Sequence, residues 1–301
     1  MPLWGSGIIW GSGFIWGSDD PGAPDGFANG QVRIGELTIG AGTVYALEQW
    51  NPWGQADVRV SDQTRGQAEG SFPVAGRFGA RRLEFTVIIV EATQAAALAA
   101  QQTLSAAFAP DPEGDVSALI WREDDVTYRL HGQTRGVAVD TGDRGMLKAQ
   151  GVIRCTVRFV ATDPNVLSDS GKSVTIASRT TPVVEIPLEV PLDWSAATLG
   201  TGTVENEGTA NTHWRASIRG PASHPSIENV TTGEQLQFHG HLADGDEIML
   251  DSEFRTWVTV GGSVMSITSP AQWWTYPAGE TQIIYRGGGS LLMSWRDAWT
   301  P

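Results

Sequence analysis

The sequence predicts a mainly β protein of two domains: an α+β domain with a sheet and one helix, followed by an antiparallel β-sandwich. Segments in which apolar and polar residues alternate recur along the chain, and after residue 170 they are short and separated by turns every ~10 residues. One alanine-rich segment instead has the spacing of a helix. The length of 301 residues suits two domains. We predict these at residues 25–165 and 170–301, after a separate segment at 1–24.

That first segment, the leader (residues 1–24), carries a repeat in which Trp4, Trp10 and Trp16 are each followed by Gly-Ser. A step of six residues suits a strand, in which these indoles share one face with Ile8 and Phe14 while the other face is mostly glycine. The leader lacks a basic region before its apolar residues, and its Gly-Ser pairs interrupt the apolar run, so we expect neither a secretory signal nor a membrane span. Two interpretations stay open: an arm whose aromatic face docks on a neighbouring subunit or partner, and a loose terminus or edge strand of the same chain.

The first domain is predicted to begin with strands at 31–39 and 43–47. A third strand, at 81–90, runs directly into a helix at 91–108, where alanine and glutamine favour helical structure. Two prolines just beyond this segment end the helix. The apolar stripe of the helix consists of Ala97, Ala100, Leu104 and Phe108.

The rest of this domain is predicted to be a hairpin and a final strand. The hairpin joins strands 117–122 and 126–132 around Glu123-Asp124-Asp125. The final strand, 151–160, alternates strictly, and it places Cys155 on the inward face as a buried structural thiol. We expect the sheet to end in strands such as this one, whose edge has to be paired or covered. Because Cys155 is the only cysteine, an intramolecular disulfide and a cysteine-rich zinc site are excluded.

The second domain is predicted to be all β. Trp214, Ala216 and Ile218 alternate with polar residues and therefore form the inward face of one strand. Further short strands are predicted at 235–238, 246–250, 256–260, 282–286 and 291–295. This succession of short strands and tight turns is typical of an antiparallel sandwich.

The formal charge of −14 argues against a surface that grips nucleic acid, because such binding depends on Lys and Arg at phosphates. No nucleophile elbow, phosphate-binding loop or dinucleotide fingerprint occurs, and the glycine-rich stretch Gly70–Gly79 (GSFPVAGRFG) is predicted to be a loop without the P-loop lysine. Acidic residues in the second domain show no spacing that singles out a catalytic pair. We therefore expect no enzyme and no cofactor.

The strongest candidate for a metal site is His239-Gly-His241, since two imidazoles at i and i+2 on a strand project to one face. The third ligand would come from His213, His224, Asp244 or Asp246. The alternative, a pair of histidines bordering a polar turn, is favoured because two histidines alone are a weak signal, so we predict no metal.

Tryptophan is abundant, with 13 copies. In a sandwich domain, flat indoles can hold sugar rings, and the candidates for glycan contact are Trp257, Trp273 and Trp274. For each of them a place in the core or in an interface is the favoured alternative.

An ordered series of motifs in the second domain, together with VRFVATDP at 157–164, carries a resemblance to a known family. The motifs are VENEG at 204–208, WRASIRGP at 214–221, PSIENVTTGE at 225–234, LADGDEIMLD at 242–251, RTW at 255–257, WTYPAG at 274–279 and WRDAW at 295–299. The series resembles the distal tail protein (minor tail protein) family of long-tailed siphovirus phages, and most of all the members from phages of actinobacteria. The resemblance covers residues 25–301 and leaves out the leader.

The resemblance implies a structural virion protein of the phage tail tip, assembled in the host cytoplasm. Its belt domain (25–165) would form a hexameric ring that joins the tail tube to the baseplate, and a galectin-like sandwich (170–301) would hang outward from each copy. The implied partners are further copies of the chain, the tail tube and tape-measure proteins, the baseplate and receptor-binding proteins, and DNA as transient cargo, with no membrane. Acidic residues of the belt, with Glu123, Asp124 and Asp125 as candidates, would line the channel and repel DNA; the alternative is a solvated hairpin tip.

Two other functions stay open at this stage. One is a carbohydrate-binding adhesin whose sandwich binds host glycans through its indoles, although fold similarity alone does not establish binding. A cell-wall hydrolase is the third reading, and zymography would test it.

Overall fold

The computed structural model describes residues 27–300 except 55, 61, 66–68, 70, 73, 141–148 and 179–198. The described residues form two compact units, 27–169 and 170–299. Strands dominate both units, and the described residues contain one α-helix. The predicted mainly β fold class with one helix is therefore confirmed. No helix in the described part of the chain combines the length and the apolar character that a bilayer span requires.

The first unit contains twelve described strands and the helix α1, Gln94–Ala107. The strands are β1 Gln31–Ile34, β2 Leu37–Gly40, β3 Tyr45–Gln49, β4 Val58–Arg59, β5 Gln63–Thr64, β6 Ser71–Phe72, β7 Arg77–Phe78, β8 Arg81–Val90, β9 Ser117–Glu123, β10 Val126–Val139, β11 Val152–Ala161 and β12 Val166–Ser168.

Seven of these strands are successive neighbours in one sheet, in the order β2-β1-β9-β10-β11-β8-β3, with antiparallel pairing throughout, and β12 joins the same sheet by pairing with β10. In a flat sheet, β2 and β3 would lie about 29 Å apart, since neighbouring strands are separated by ~4.8 Å. However, β2 and β3 are consecutive, and the chain from Gly40 to Tyr45 spans at most about 18 Å. The sheet must therefore curl until its two edge strands approach each other. The tight turn between them is closed by the Thr43 N–H, which donates to the Gly40 carbonyl at 3.1 Å.

The expectation that the strand near 151–160 forms an edge is wrong. β11 lies inside the sheet, where it pairs with β8 along its whole length and with β10 on its other side. Residues Ile153, Cys155, Val157 and Phe159 are buried, as the alternation predicts. Cys155 has no exposed surface, as expected for a buried structural thiol. Sequence alternation reports which face of a strand is buried but not which neighbours pair with it.

The helix α1 covers one side of the curled sheet. It begins at the N-cap Thr93, whose side chain accepts a hydrogen bond from the Ala96 N–H at 3.2 Å. The predicted stripe is buried in full, and its last member, Phe108, packs edge-on against Phe85 of β8 with ring centroids 5.9 Å apart. The Tyr45 hydroxyl of β3 donates to the Ala100 carbonyl at 3.1 Å, so that the helix is also tied to the sheet edge.

A buried ion pair holds the end of the first unit. β12 pairs with the first half of β10, where Arg129 lies opposite Leu167. Arg129 and Asp169 are 1% and 5% exposed in their side chains, and the Arg129 Nε donates to Asp169 Oδ1 at 2.8 Å, with a second bond from Nη2. The Asp169 N–H also donates to the Thr127 carbonyl at 2.8 Å. The first unit therefore extends past residue 165 as far as Asp169.

The second unit is a β-sandwich. Its strands are β13 Lys172–Ala177, β14 Leu199–Asn206, β15 Trp214–Arg219, β16 Ala222–Ser223, β17 Ser226–Asn229, β18 Gln235–His239, β19 His241–Leu242, β20 Glu247–Asp251, β21 Thr256–Val260, β22 Ser266–Ile267, β23 Gly279–Arg286, β24 Ser290–Trp295 and β25 Ala298–Trp299. Two five-stranded sheets, in the orders β13-β24-β15-β20-β21 and β14-β23-β17-β18-β22, enclose one core.

The sandwich core is built around Trp214, whose inward position was predicted. Its indole N–H donates to the Trp274 carbonyl at 3.0 Å, and its ring lies 4.9 Å from that of Trp274. Tyr276 is fully buried beside it, and burial raises the pKa of its hydroxyl. These aromatic side chains fill the space between the sheets, so Trp214 and Trp274 are core residues of the second unit.

One side of the sandwich is closed by glycine. A Cβ on Gly200 would lie 2.7 Å from the Ala177 carbonyl oxygen, and one on Gly202 would lie 2.6 Å from Ile176 Cδ1. The edge strand β14 therefore runs against the edge strand β13 of the facing sheet only because these two positions lack side chains. In β14, as in the leader, glycine alternates with larger residues.

Candidate functional site

Between β3 and β8, the first unit carries a two-stranded projection whose side chains do not pack into the core. We name it the hairpin arm (residues 57–79): β4 pairs with β7, and β5 pairs with β6. Its base is closed where the Gly79 N–H donates to the Asp57 carbonyl at 2.6 Å. Further out, the Val74 N–H donates to the Asp62 carboxylate at 3.1 Å.

One face of the hairpin arm is apolar and open. Val58 pairs directly with Phe78, and a Cβ on Gly76 would lie 3.4 Å from Val58 and 3.7 Å from Val60, so these residues share a face. Val58, Val60 and Phe78 are 48%, 53% and 46% exposed, and Phe72 reaches 56%. Arg59 and Arg77 pair on the opposite face.

Such a projection needs a partner on physical grounds. A two-stranded hairpin is marginally stable in water, and three strands or a packed apolar face are needed for independent stability. The described part of the arm has no third strand, and its apolar side chains are about half exposed. An apolar face of this kind marks an interaction surface.

Sequence reasoning missed the hairpin arm. The stretch Gly70–Gly79 was expected to be a loop, but it contains β6 and β7. The available signal was the alternation of Val58 with Val60 upstream and of Phe72 with Val74 downstream. It was weak because the described strands are only two residues long, below the length at which period-two patterns become informative.

The predicted acidic tip lies at a two-residue hairpin turn, as the sequence suggested. Asp124 and Asp125 both have positive φ, 48° and 64°, which is the conformation that a type I′ turn requires and that aspartate tolerates. Glu123 accepts a hydrogen bond from the Trp53 indole N–H at 2.7 Å. Asp125 is 3.3 Å from the Arg122 guanidinium, and Asn29 bonds to it as well. The tip is exposed, and its charge is partly compensated by Arg122.

The three candidate glycan contacts differ in exposure. Trp274 is 4% exposed and packs against Trp214, so its ring faces the core, which is the alternative that the sequence favours over a platform for a sugar. Trp257 and Trp273 are half-buried. Trp257 contacts Phe238 edge-on at 5.6 Å, and Trp273 stacks near Trp214 at 6.0 Å.

The histidines of the second unit do come together. The ring of His224 lies 5.2 Å from that of His241 and 6.2 Å from that of His239, centroid to centroid. His239 Nε2 lies 2.9 Å from the Thr268 hydroxyl, and His224 Nδ1 lies 3.1 Å from the Ser223 hydroxyl. Within the described ranges, no group of three or more His, Cys, Asp or Glu side chains is placed to hold a metal ion.

The leader residues Trp4, Ile8, Trp10, Phe14 and Trp16 lie outside the described residues, and the predicted partner interface on them stays a prediction. The described chain starts at Phe27, which is 3% exposed. The Phe27 carbonyl accepts a hydrogen bond from the Arg122 guanidinium at 2.9 Å.

Comparison with known families assigns the second unit. Residues 207–299 match the family model described as the siphovirus-type tail component, C-terminal domain. The resemblance to the distal tail protein family of siphophages is confirmed. The matched residues cover most of the sandwich and run from the end of β14 to β25. The closer likeness to family members from actinobacterial phages stays a prediction.

A solved structure extends the likeness to the fold of the first unit. The Dit protein (gp 19.1) of phage SPP1, described as a paradigm of the hub adsorption apparatus in phages that infect Gram-positive bacteria, is similar with a TM-score of 0.63 and 11% identity. The similarity covers 89% of this chain and 98% of that one. The baseplate of phage P2 in its calcium-activated conformation contains a chain with a TM-score of 0.48 and 8% identity, over the same shares. A comparison with curated protein sequences gave no match.

Proposed function

We propose that this chain is a structural protein of the phage tail tip that assembles as a ring, joins the tail tube to the host-recognition apparatus and lets DNA pass through its centre. The family of the C-terminal domain and the fold shared with the SPP1 hub protein support a place in the tail tip. A ring of six copies is what the sequence resemblance implies. The observation that carries the proposal in this chain is the open apolar face of the hairpin arm.

The contact that we propose is between the hairpin arm of one copy and a different surface of the next. A head-to-tail contact of this kind repeats around an axis, and it closes into a ring when the rotation allows. The half-exposed side chains of Val58, Val60, Phe72 and Phe78 each have about 1 kcal/mol of transfer free energy left to gain, taking half of the value for full burial. Repeated at every interface of a ring, this gain stabilises the assembly.

The test is the oligomeric state of the full chain with and without the apolar face of the hairpin arm. In the triple variant Val58→Ser, Val60→Ser and Phe78→Ser, light scattering after size exclusion is expected to shift from a ring to smaller species, and electron micrographs are expected to lose ring-shaped particles. The matched control is Val230→Ser, because Val230 is 43% exposed and lies in the second unit. Rings that survive in the triple variant would contradict the contact, and a wild-type chain that stays monomeric at high concentration would contradict the ring.

We also propose that the acidic tip faces the channel through which DNA moves. Like charge keeps DNA from adhering to the wall. Asp124 is the residue to change, because Asp125 is bonded to Arg122 and Asn29 while Glu123 is bonded to Trp53. Virions that carry Asp124→Asn are expected to release DNA more slowly, measured by dye uptake after triggering. Unchanged release kinetics would favour the solvated-tip interpretation.

A second candidate function is host-glycan binding by the sandwich. It is favoured by Trp257 and Trp273, whose indoles are partly accessible in the second unit. Glycan arrays or cell-wall pull-downs with the full chain, compared with Trp257→Ala and Trp273→Ala, test this candidate. Binding that both variants retain would place any glycan site elsewhere.

A further inference from the structure

Among the described strands of the sandwich, β21 presents an open edge that is long enough to pair with another strand. The edge strands β13 and β14 run against each other through the glycine contacts described above, and β22 is two residues long. β21 is five residues long and pairs with β20 alone. Apart from that pairing, the backbone of Thr256–Val260 makes no hydrogen bond with any described residue.

β21 lacks the features that protect exposed strand edges. Its sequence, Thr-Trp-Val-Thr-Val, contains no charge and no proline, and its register with β20 has no bulge. Natural edge strands are normally blunted by such features because unpaired N–H and C=O groups recruit other strands. β-branched and aromatic residues without charge also favour strand pairing.

The most exposed large apolar side chains of the sandwich lie at the two ends of β21. Val264, Phe254 and Val260 are 89%, 55% and 49% exposed, more than any other large apolar side chain among the described residues of the second unit. Between these ends, on the outer face of the sheet, Val258 lies opposite Met249, which is 39% exposed. The edge therefore belongs to an apolar patch, and such patches mark interaction surfaces.

Both ends of this patch are held in place by carboxylates. At one end, the Asp251 carboxylate accepts hydrogen bonds from the backbone N–H groups of Glu253, at 2.9 Å, and Phe254, at 3.2 Å. At the other end, the Asp246 carboxylate accepts hydrogen bonds from the backbone N–H of Ser263, at 2.8 Å, and from its hydroxyl. A surface that is ordered before binding loses less conformational entropy when a partner binds to it.

We propose that β21 pairs antiparallel with β21 of a second copy of this chain, about a two-fold axis that passes beside Val258. In this register, Thr256 lies opposite Val260 of the second copy, and Trp257 lies opposite its Thr259. Because alternate residues of a strand direct both backbone groups to the same side, the pairing adds about four to six main-chain hydrogen bonds. The contact is isologous, and it joins two five-stranded sheets into one continuous sheet.

The two ends of the patch complement each other in this orientation. The two-fold axis reverses the second copy, so the end that carries Phe254 meets the end that carries Val260 and Val264. The apolar side chains of both ends then lose solvent contact together, which favours association. A parallel pairing would instead place like ends side by side.

Charge favours the same register. Arg255 makes no ion pair with any described residue. In the proposed pairing it lies opposite Gly261 of the second copy, and Gly261 lies directly against Asp246, since a Cβ at this position would overlap the Asp246 carboxylate. The Ser263 hydroxyl lowers the pKa of Asp246, so that this carboxylate is charged at neutral pH. Each copy therefore places a cation near an acid of the other, and symmetry repeats this pair on both sides of the axis.

Hydrogen exchange of the full chain at low and at high protein concentration tests the proposal. Amides of Thr256–Val260 are expected to exchange at least about tenfold more slowly at high concentration, because their outward N–H groups gain acceptors in the second copy. Amides of β15, which lies inside the same sheet, serve as the internal control. Their exchange is expected to stay independent of concentration.

Three variants test the register. Val258→Lys places two like charges directly opposite each other at the axis and is expected to abolish the concentration dependence, as is Val258→Glu. An equimolar mixture of these two variants is expected to restore it, because opposite charges then face each other. The matched control is Thr175→Lys, which adds the same charge at an exposed position opposite Leu292 on the far edge strand of the same sheet and is expected to behave like the wild type.

Protection of β21 that does not change with concentration would overturn the proposal, because another segment of the same chain would then cover the edge. Free exchange of β21 at every concentration would overturn it too, since the edge would then need a partner of a different kind. A mixture that fails to restore the protection would refute the proposed register.

The inference goes beyond the proposed function and does not rest on it. A chain that forms rings but whose β21 exchanges freely at every concentration refutes this inference alone. Concentration-dependent protection of β21 in a chain that forms no ring refutes only the proposed ring.

Discussion

Replacing one partner of the buried ion pair between Arg129 and Asp169 is expected to destabilise the first unit strongly. Neither side chain has solvent to compensate for the loss, because they are 1% and 5% exposed. Removing one partner of such a pair costs about 3–5 kcal/mol. We expect about 3 kcal/mol for Asp169→Asn, which keeps an acceptor for the guanidinium, and up to about 5 kcal/mol for Arg129→Met. A cost of 4 kcal/mol corresponds to a fall in Tm of about 10 °C for a unit of this size.

The assay is urea unfolding monitored by hydrogen exchange and mass spectrometry, which measures the unfolding of each unit separately. The control is Glu84→Gln, because the pair between Arg158 and Glu84 is more than half exposed on both sides and is worth at most about 1 kcal/mol. The double variant Arg129→Met with Asp169→Leu is expected to cost less than the sum of the single changes, since it leaves no charge unpaired. A loss for Asp169→Asn no larger than that of Glu84→Gln would refute the reasoning.

Two further predictions concern the sandwich. Burial lowers the pKa of Lys172, but hydrogen bonds and charges from Asp297 and Glu207 outweigh it and raise the pKa above its ordinary value. The free energy of unfolding of the wild type should therefore exceed that of Lys172→Met by its full amount below about pH 10, and this difference should shrink as the pH rises through the raised pKa. Urea titrations at several pH values measure the difference. A difference that does not change with pH would contradict the prediction. Gly208→Ala should lower the free energy of unfolding by about 3 kcal/mol or more, because its Cβ would overlap the Ala298 backbone. The control Gly262→Ala should be neutral, because its Cβ would meet nothing within 4 Å. Thermal melts in which both variants lower the Tm by the same amount would contradict the overlap.

Local features of the fold were predictable from the sequence because they depend on neighbouring residues. The stripe from Ala97 to Phe108 and the alternation around Trp214 report which faces are buried, and both are confirmed. The turn at Asp124-Asp125 follows from the tolerance of aspartate for positive φ. In each case the residues that decide the outcome lie within one element.

Non-local features were not predictable in the same way. The place of β11 inside the sheet depends on pairing with β8, which lies more than 60 residues earlier in the chain, and alternation carries no information on that partner. Adjacent tryptophans show the same limit: Trp274 is in the core and Trp273 is only half-buried. Composition suggested both as platforms, but only the packing of the two sheets separates them.

The same physics explains why exposed apolar residues of this protein escaped the sequence analysis. Val58 and Phe78 have the pattern of core strand residues, yet they have no core beneath them. Two pairs of strand edges are instead brought together within the chain. A short turn curls the first sheet so that β2 approaches β3, and the glycines of β14 let it pack against β13 on one side of the sandwich. The apolar face of the hairpin arm is not covered by any described residue in this way; we propose that assembly covers it, and the oligomeric-state experiment measures this property.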